Sequence, residues 1–461
     1  MITTQEFINT NLPVILEELF SLIRMPSVSA HKHAQDALYQ CANRWMDILL
    51  KSGLDKAKVM ETNGNPVVYA EKIIDKKLPT VLVYGHYDVM PAEPLELWKS
   101  LPFEPEIRDG KIYARGADDD KGQSFMHAKA VEYLVKTGQF NCNVKFLLEG
   151  EEEIGSPNLE AFCEANKSLL ACNTILVSDT SMLAADMPSI TTGLRGLVYW
   201  QIEVTAANRD LHSGIFGGAV ANPINELAKM LAQLTDNQGK ITIPGFYDRV
   251  QELTPEEKNL IDRVPFDEEA YKKDLGISHL YGEKGYSTIE RTGVRPTFDV
   301  CGIWGGYTGE GSKTVLPSKA YAKLSARLVP NQDHNEIMQL VSNHLYAIAP
   351  GHIQVEVIPL HGAASYVCPI DSPAYRATEQ AYEKVFGVRP LPVRRGGSIG
   401  VVPVFEKVLG VKPILMGFGL ESDAIHSPDE NFPLEMFKKG IETIVEFYLC
   451  YGQQSTVVNS L

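Results

Sequence analysis

The chain has 461 residues, 58 of them acidic and 43 basic, for a formal net charge of −15. That length exceeds one compact core, so two domains are expected. The acidity, with no Lys/Arg cluster beyond short doublets, excludes nucleic acid as a main partner, since phosphate binding needs a basic face. No apolar run approaches the roughly 20 residues that span a bilayer, so no membrane partner is expected either. The seven cysteines are scattered, with no C-x-x-C pair, and the N-terminus shows no basic stretch followed by an apolar core. Both features fit a cytoplasmic protein with reduced thiols.

Along the chain, Leu38, Cys41, Ala42, Trp45, Ile48 and Leu49 recur at three- and four-residue spacing. They predict an amphipathic helix over 34–52, with Gly53 as its C-cap. Four short apolar runs follow: TVLVYG to Gly85, VKFLLEG to Gly150, TILVSD to Asp179 and PILMGFG to Gly419. Each has the length of a strand buried on both faces, and helical segments separate several of them. The class is therefore α/β, with a mainly parallel sheet flanked by helices. Between the third and fourth runs the texture changes. YWQIEV and HIQVEV alternate as half-buried strands do, NPINELAKMLAQL reads as a helix, and 236–290 is a long polar stretch. This predicts an inserted α+β domain over 193–392, with 1–192 and 393–461 together forming the first domain.

The chemistry collects at the strand ends. His86 follows VLVYG, Glu149 to Glu153 follow VKFLL, Asp179 closes TILVSD, and His426 comes shortly after PILMGFG. Open α/β sheets bind ligands beyond the carboxyl ends of their strands. Imidazole and carboxylate without thiolate suit zinc, manganese or cobalt. Five such groups, one carboxylate shared, give each of two ions three protein ligands and leave positions for water and substrate. The run GGYTGEGSKT (305–314) fails the phosphate-loop pattern, because Ser312 separates Gly311 from Lys313. It reads as a mobile loop of the inserted domain.

GHYDVMP (85–91), ARGADDDKG (114–122), EGEEEIGS (149–156), SDT (178–180), DLHSG (210–214), RRGGSIG (394–400) and AIHSPDE (424–430) together resemble the M20 metallopeptidases. The likeness is strongest to their dipeptidase and carnosinase-like branch. The resemblance implies hydrolysis of the amide bond of dipeptides or small peptides by a metal-bridging water, with two zinc ions as the expected cofactor. An N-acyl-amino-acid deacylase, a carboxypeptidase or a catalytically silent binding homologue are the alternatives. It further implies His86 and Asp179 on one ion, Glu153 and His426 on the other, and Asp119 bridging them, with a cis peptide between Asp119 and Asp120. Glu152 becomes the general base, and Asp88 the residue that orients the His86 imidazole. The inserted domain becomes a lid through which two copies pair as a homodimer. There His212 stabilises the oxyanion, accompanied by Thr314, while Arg327, Ser398 and Gly397 receive the substrate. Three positions depart from the pattern: Met90 where many relatives have Gln, Gly400 in place of Pro, and Arg395 in place of Glu. Arg395 stands where that Glu would meet a free substrate amino group.

Overall fold

The computed structural model describes residues 2–458. Its contacts divide the chain into two compact units. The first comprises residues through Thr192, Cys368–Val393, and the chain from Gly400 onward; the second comprises Gly193–Val367 and Arg394–Ile399.

The first unit is built on one mixed sheet. Its strands run in the spatial order Lys56–Met60, Val67–Lys72, Asn143–Glu149, Thr80–His86, Thr174–Val177, Pro413–Leu415 and Ser189–Leu194. The expected parallel core is its central four strands, from Asn143–Glu149 to Pro413–Leu415. The flanking pairs are antiparallel. Parallel neighbours need long crossovers, and helices supply them, so both faces of the central strands are covered. Thr80–His86 and Asn143–Glu149 accordingly show almost unbroken burial.

The helix predicted near residue 34 spans Gln35–Lys51 and buries the six residues whose spacing announced it. Of these, Leu38, Ile48 and Leu49 each contribute about 1.5–3 kcal/mol on full burial. Gly53 follows it with φ +94°. Another helix, Lys121–Thr137, is buried on every side for most of its length, so its sequence shows little amphipathic stripe. Segment 368–392, expected in the insertion, instead contributes the Pro373–Phe386 helix, which packs on Leu434–Val458 in the first unit.

The second unit contains a four-stranded antiparallel sheet, ordered Thr297–Gly305, Lys319–Leu328, Gly196–Thr205 and Gln354–Ala363. Gly196–Thr205 alternates buried and half-buried residues along its whole length. The buried face meets helices Pro223–Leu231 and His334–Ile348 around Trp200, Leu324 and Val341. The polar stretch 236–290 is not a featureless loop. It holds helices Pro255–Asp262 and Glu268–Leu275, and Thr288–Gly293 begins within it. Two of these start on capping boxes, Thr254 with Glu257 and Ser287 with Glu290.

Candidate metal centre

His86 is the last residue of its strand and lies level with Glu149 in the parallel neighbour. The glycine before it is required by space. A Cβ on Gly85 would fall 1.8 Å from the Ser124 hydroxyl and 2.7 Å from an Asp120 oxygen. Those two groups hold the strand end, because Asp120 Oδ2 accepts from the His86 amide (3.1 Å) and from Ser124 Oγ (2.5 Å). The Asp119–Asp120 peptide is cis.

Two groups of side chains converge at this rim, and they share one member. His86, Asp119 and Asp179 offer ligand atoms within 4.8 Å of one another, and so do Asp119, Glu153 and His426. Asp119 spans the two. Its Oδ1 is 3.0 Å from His86 Nε2 and its Oδ2 is 2.9 Å from His426 Nε2. His426 Nε2 is also 3.1 Å from Glu153 Oε2, and Asp179 Oδ2 lies 3.9 Å from His86 Nε2. Each imidazole thus directs Nε2 inward. At His86 the other nitrogen, Nδ1, donates to the Asp88 carbonyl oxygen at 3.0 Å, which fixes the ring.

The electrostatics call for positive charge between these carboxylates. Burial opposes ionisation of Asp119, yet the His426 and His86 imidazoles hold its carboxyl well below the usual range. Contact with Asp119 and then Glu153 raises His426 to about 10. Burial works against a charged His86, but Asp119 and Asp88 raise it well above its ordinary value. Burial, then Asp119, pushes Asp179 well up. Protons on the two rings answer this demand in part, and divalent cations would answer it more fully. The donor set, two imidazoles and three carboxylates, fits such ions.

The glutamate run separates by its partners. Glu149 accepts from the Tyr84 hydroxyl (2.5 Å) and Ser156 Oγ (2.9 Å). Glu151 accepts from the Asn65 amide (3.0 Å) and Asn158 Nδ2 (2.8 Å). Glu153 faces His426. Glu152 lies where His86, Glu153 and Asp119 all act on its carboxyl; burial is the largest influence and pushes it up to about 7.

Asp88 does something the sequence did not announce. Its main-chain oxygen, not its carboxylate, takes the His86 proton at hydrogen-bond distance; Oδ1 stands 3.5 Å from that nitrogen. The carboxylate instead accepts the amides of Glu152 (3.2 Å) and Glu153 (3.1 Å). It therefore fixes the start of the turn that carries both glutamates.

The remaining predicted residues lie in the second unit. His212 pairs with Val315 across a short antiparallel strand pair joined over a long stretch of chain, and the Thr314 carbonyl accepts the Ser213 amide at 3.1 Å. His212 and Thr314 are therefore neighbours, both exposed. The His212 Nδ1 accepts from the Gly214 amide at 3.0 Å. Arg327 Nη1 donates to Ser398 Oγ at 2.8 Å, and Ser398 in turn donates to the Arg195 carbonyl oxygen. Gly397 precedes Ser398, with open space where a Cβ would stand. Gly400 has φ −59°, the value proline would impose, so the turn keeps its shape without the ring.

Comparison with known proteins agrees with this geometry. The model of peptidase family M20/M25/M40 matches residues 82–449. The Cys-Gly metallodipeptidase dug1 of Schizosaccharomyces pombe is 32% identical over 453 residues, covering 95% of each chain. The human Beta-Ala-His dipeptidase is 32% identical over 394 residues, 84% of this chain and 78% of that one. The solved structure of the M20 family metallo-carboxypeptidase Sso-CP2 from Sulfolobus solfataricus is similar with a TM-score of 0.85 at 35% identity, covering 95% of this chain and 99% of that one. The chain belongs to peptidase family M20 and is a metal-dependent hydrolase.

Proposed function

We propose that the protein hydrolyses the amide bond of dipeptides or other small peptides, using two zinc ions held by His86, Asp119, Asp179, Glu153 and His426. The observation that carries this reading is the single Asp119 carboxylate placed between two imidazoles, each backed by a further carboxylate. Bound ions would activate a water and polarise the scissile carbonyl. Glu152, next to the proposed ligand Glu153 and held through its amide at this rim, is suited to take a proton from that water and pass it to the leaving amine. Asp88 keeps that glutamate in place through its amide.

The second unit offers groups for the substrate. Because Nδ1 of His212 accepts a hydrogen bond, a neutral ring carries its proton on Nε2, the form that donates to a developing oxyanion. Arg327 spends one N–H on Ser398 and keeps the rest of its fork for a carboxylate. The Thr297–Gly305 edge strand exposes Val300, Ile303 and Trp304, which supports pairing of two copies through this unit. All seven cysteines are free, which supports a cytoplasmic setting, and no helix among the described residues is long and apolar enough to cross a membrane.

The test is a panel of free dipeptides, their N-acetyl forms and a tripeptide, with metal-loaded and chelated protein. Chelator-sensitive cleavage of the free dipeptides is the expected result; no cleavage of any member by metal-loaded protein would refute the reading. One observation favours a second reading. Arg395 puts a cation where the family resemblance implies a glutamate, and the carboxypeptidase from Sulfolobus is among the similar structures. A cation there disfavours a substrate ammonium and favours acylated or longer substrates. On this reading Arg395→Glu shifts preference from N-acetyl to free dipeptides; an unchanged ratio removes it.

A further inference from the structure

Glu430 lies four residues after His426, is fully buried, and has no part in the chemistry described above. Its carboxylate gathers one loop of the chain. Oε1 accepts the amides of Gly116 (3.1 Å), Asp118 (3.1 Å) and Asp119 (3.2 Å). Oε2 accepts from the Gly116 amide (3.0 Å) and from Arg115 Nη1 (2.7 Å), a guanidinium that is itself buried. The Glu430 carbonyl oxygen takes the Ala114 amide at 3.1 Å, and the Asn431–Pro433 strand pairs onward with Lys111–Tyr113. The whole approach to Asp119 is thus tied to one residue.

The same residue ends the loop that carries His426. That loop is held in an unusual shape: Ala424, His426 and Asp429 all have left-handed backbones, at φ 56°, 61° and 61°. L-residues adopt this region at a cost and keep it only where surrounding bonds enforce it. Asn431 supplies two of those bonds, to the carbonyl oxygens of Asp423 (3.2 Å) and Asp429 (3.1 Å). Glu430, between Asp429 and Asn431, closes the loop against the Asp119 segment.

We propose that Glu430 is a positioning residue for the metal centre, a clasp that joins the Arg115–Asp119 loop to the Ala424–Asp429 loop and so sets the spacing of Asp119 and His426. Asp119 belongs to both donor groups, so loosening the clasp disturbs both ions together. The inference rests on the reading that these residues hold the ions. A buried carboxylate that takes three amides and a guanidinium is poorly replaced. Glutamine presents an NH2 toward donors, and aspartate keeps the charge but shortens the reach by one methylene.

The experiment is zinc titration of the full chain against a chromophoric chelator, with folding followed by circular dichroism. Glu430→Gln and Glu430→Asp are compared with the parent, and Glu18→Gln serves as control. That control breaks a buried carboxylate–Lys129 pair on the helix that follows Asp119 and tests whether mere destabilisation weakens metal binding. Supporting contacts of this kind change metal affinity by about 10–100-fold. The expected result is a loss of that size for both ions in Glu430→Gln, a smaller loss in Glu430→Asp, and none in Glu18→Gln. Folded Glu430 variants that bind both ions within about twofold of the parent overturn the inference and leave the metal reading standing. So does a matching loss in Glu18→Gln, which marks the effect as general destabilisation. A parent that takes up no ion overturns both.

Discussion

At the rim of the first unit, His86, Asp88 and Asp119 are almost completely buried, and each is held: the His86 ring on the Asp88 carbonyl, the Asp88 carboxylate on two amides, and the Asp119 amide on the Glu430 carboxylate. In the second unit His212 and Thr314 stand exposed beside a two-residue antiparallel pairing, and the Gly214 amide donates to the His212 ring. The difference follows from the work proposed for each. Ions need ligands set in advance, because every ångström of error is lost affinity, whereas groups that meet a substrate can complete their order when it arrives. Changes to the ligands and their supports in the first region should therefore cost metal, and changes in the second should cost turnover while metal is kept.

The largest effect is expected at the shared ligand. Asp119→Ala should remove metal from both donor groups and abolish hydrolysis, with metal content and turnover measured on the same sample. Next is Glu152→Gln, which leaves the ligands in place. We expect kcat to fall by about 10²–10⁴-fold, the usual share of a general base, with metal content retained. A variant that lost metal instead would show that Glu152 belongs with the ligands. His212→Ala should lower kcat by about 10²–10³-fold, as loss of an oxyanion donor does, with unchanged metal affinity. A weakened zinc titration there would break the contrast between the regions. The smallest effect is that of Arg327→Met. Losing a charged hydrogen bond costs about 1.5–3 kcal/mol, so KM for a substrate with a free carboxylate should rise by roughly 10–100-fold. An amidated substrate should be indifferent to the change.

Much of this is legible in the sequence. Residues at strand ends are readable because a buried parallel strand is a short apolar run, and the polar group that ends it stands out; His86, Asp179 and the glutamate run were found this way. The Gln35–Lys51 helix was equally plain, since one of its faces is wet. What stayed hidden depends on contacts between distant segments. Glu430 reaches Gly116 across more than three hundred positions, and nothing near it in sequence hints at the partner. The family resemblance puts Asp88 on the imidazole, but its carboxylate turns to a loop more than sixty residues away. The Lys121–Thr137 helix lacks a stripe because it has no exposed side to contrast with. The helices within 236–290 carried a signal that hydrophobic periodicity passes over, the Thr254–Glu257 and Ser287–Glu290 capping boxes.

One carboxylate, that of Asp119, is proposed to serve two ions. The most direct test of this is the metal content of the zinc-loaded parent protein, counted by elemental mass spectrometry after removal of free ion and paired with dipeptide turnover. Two zinc ions per chain, with turnover lost as they are stripped and regained as they return, is the predicted result. A protein that cleaves dipeptides at full rate with one ion per chain, or with none, would contradict it.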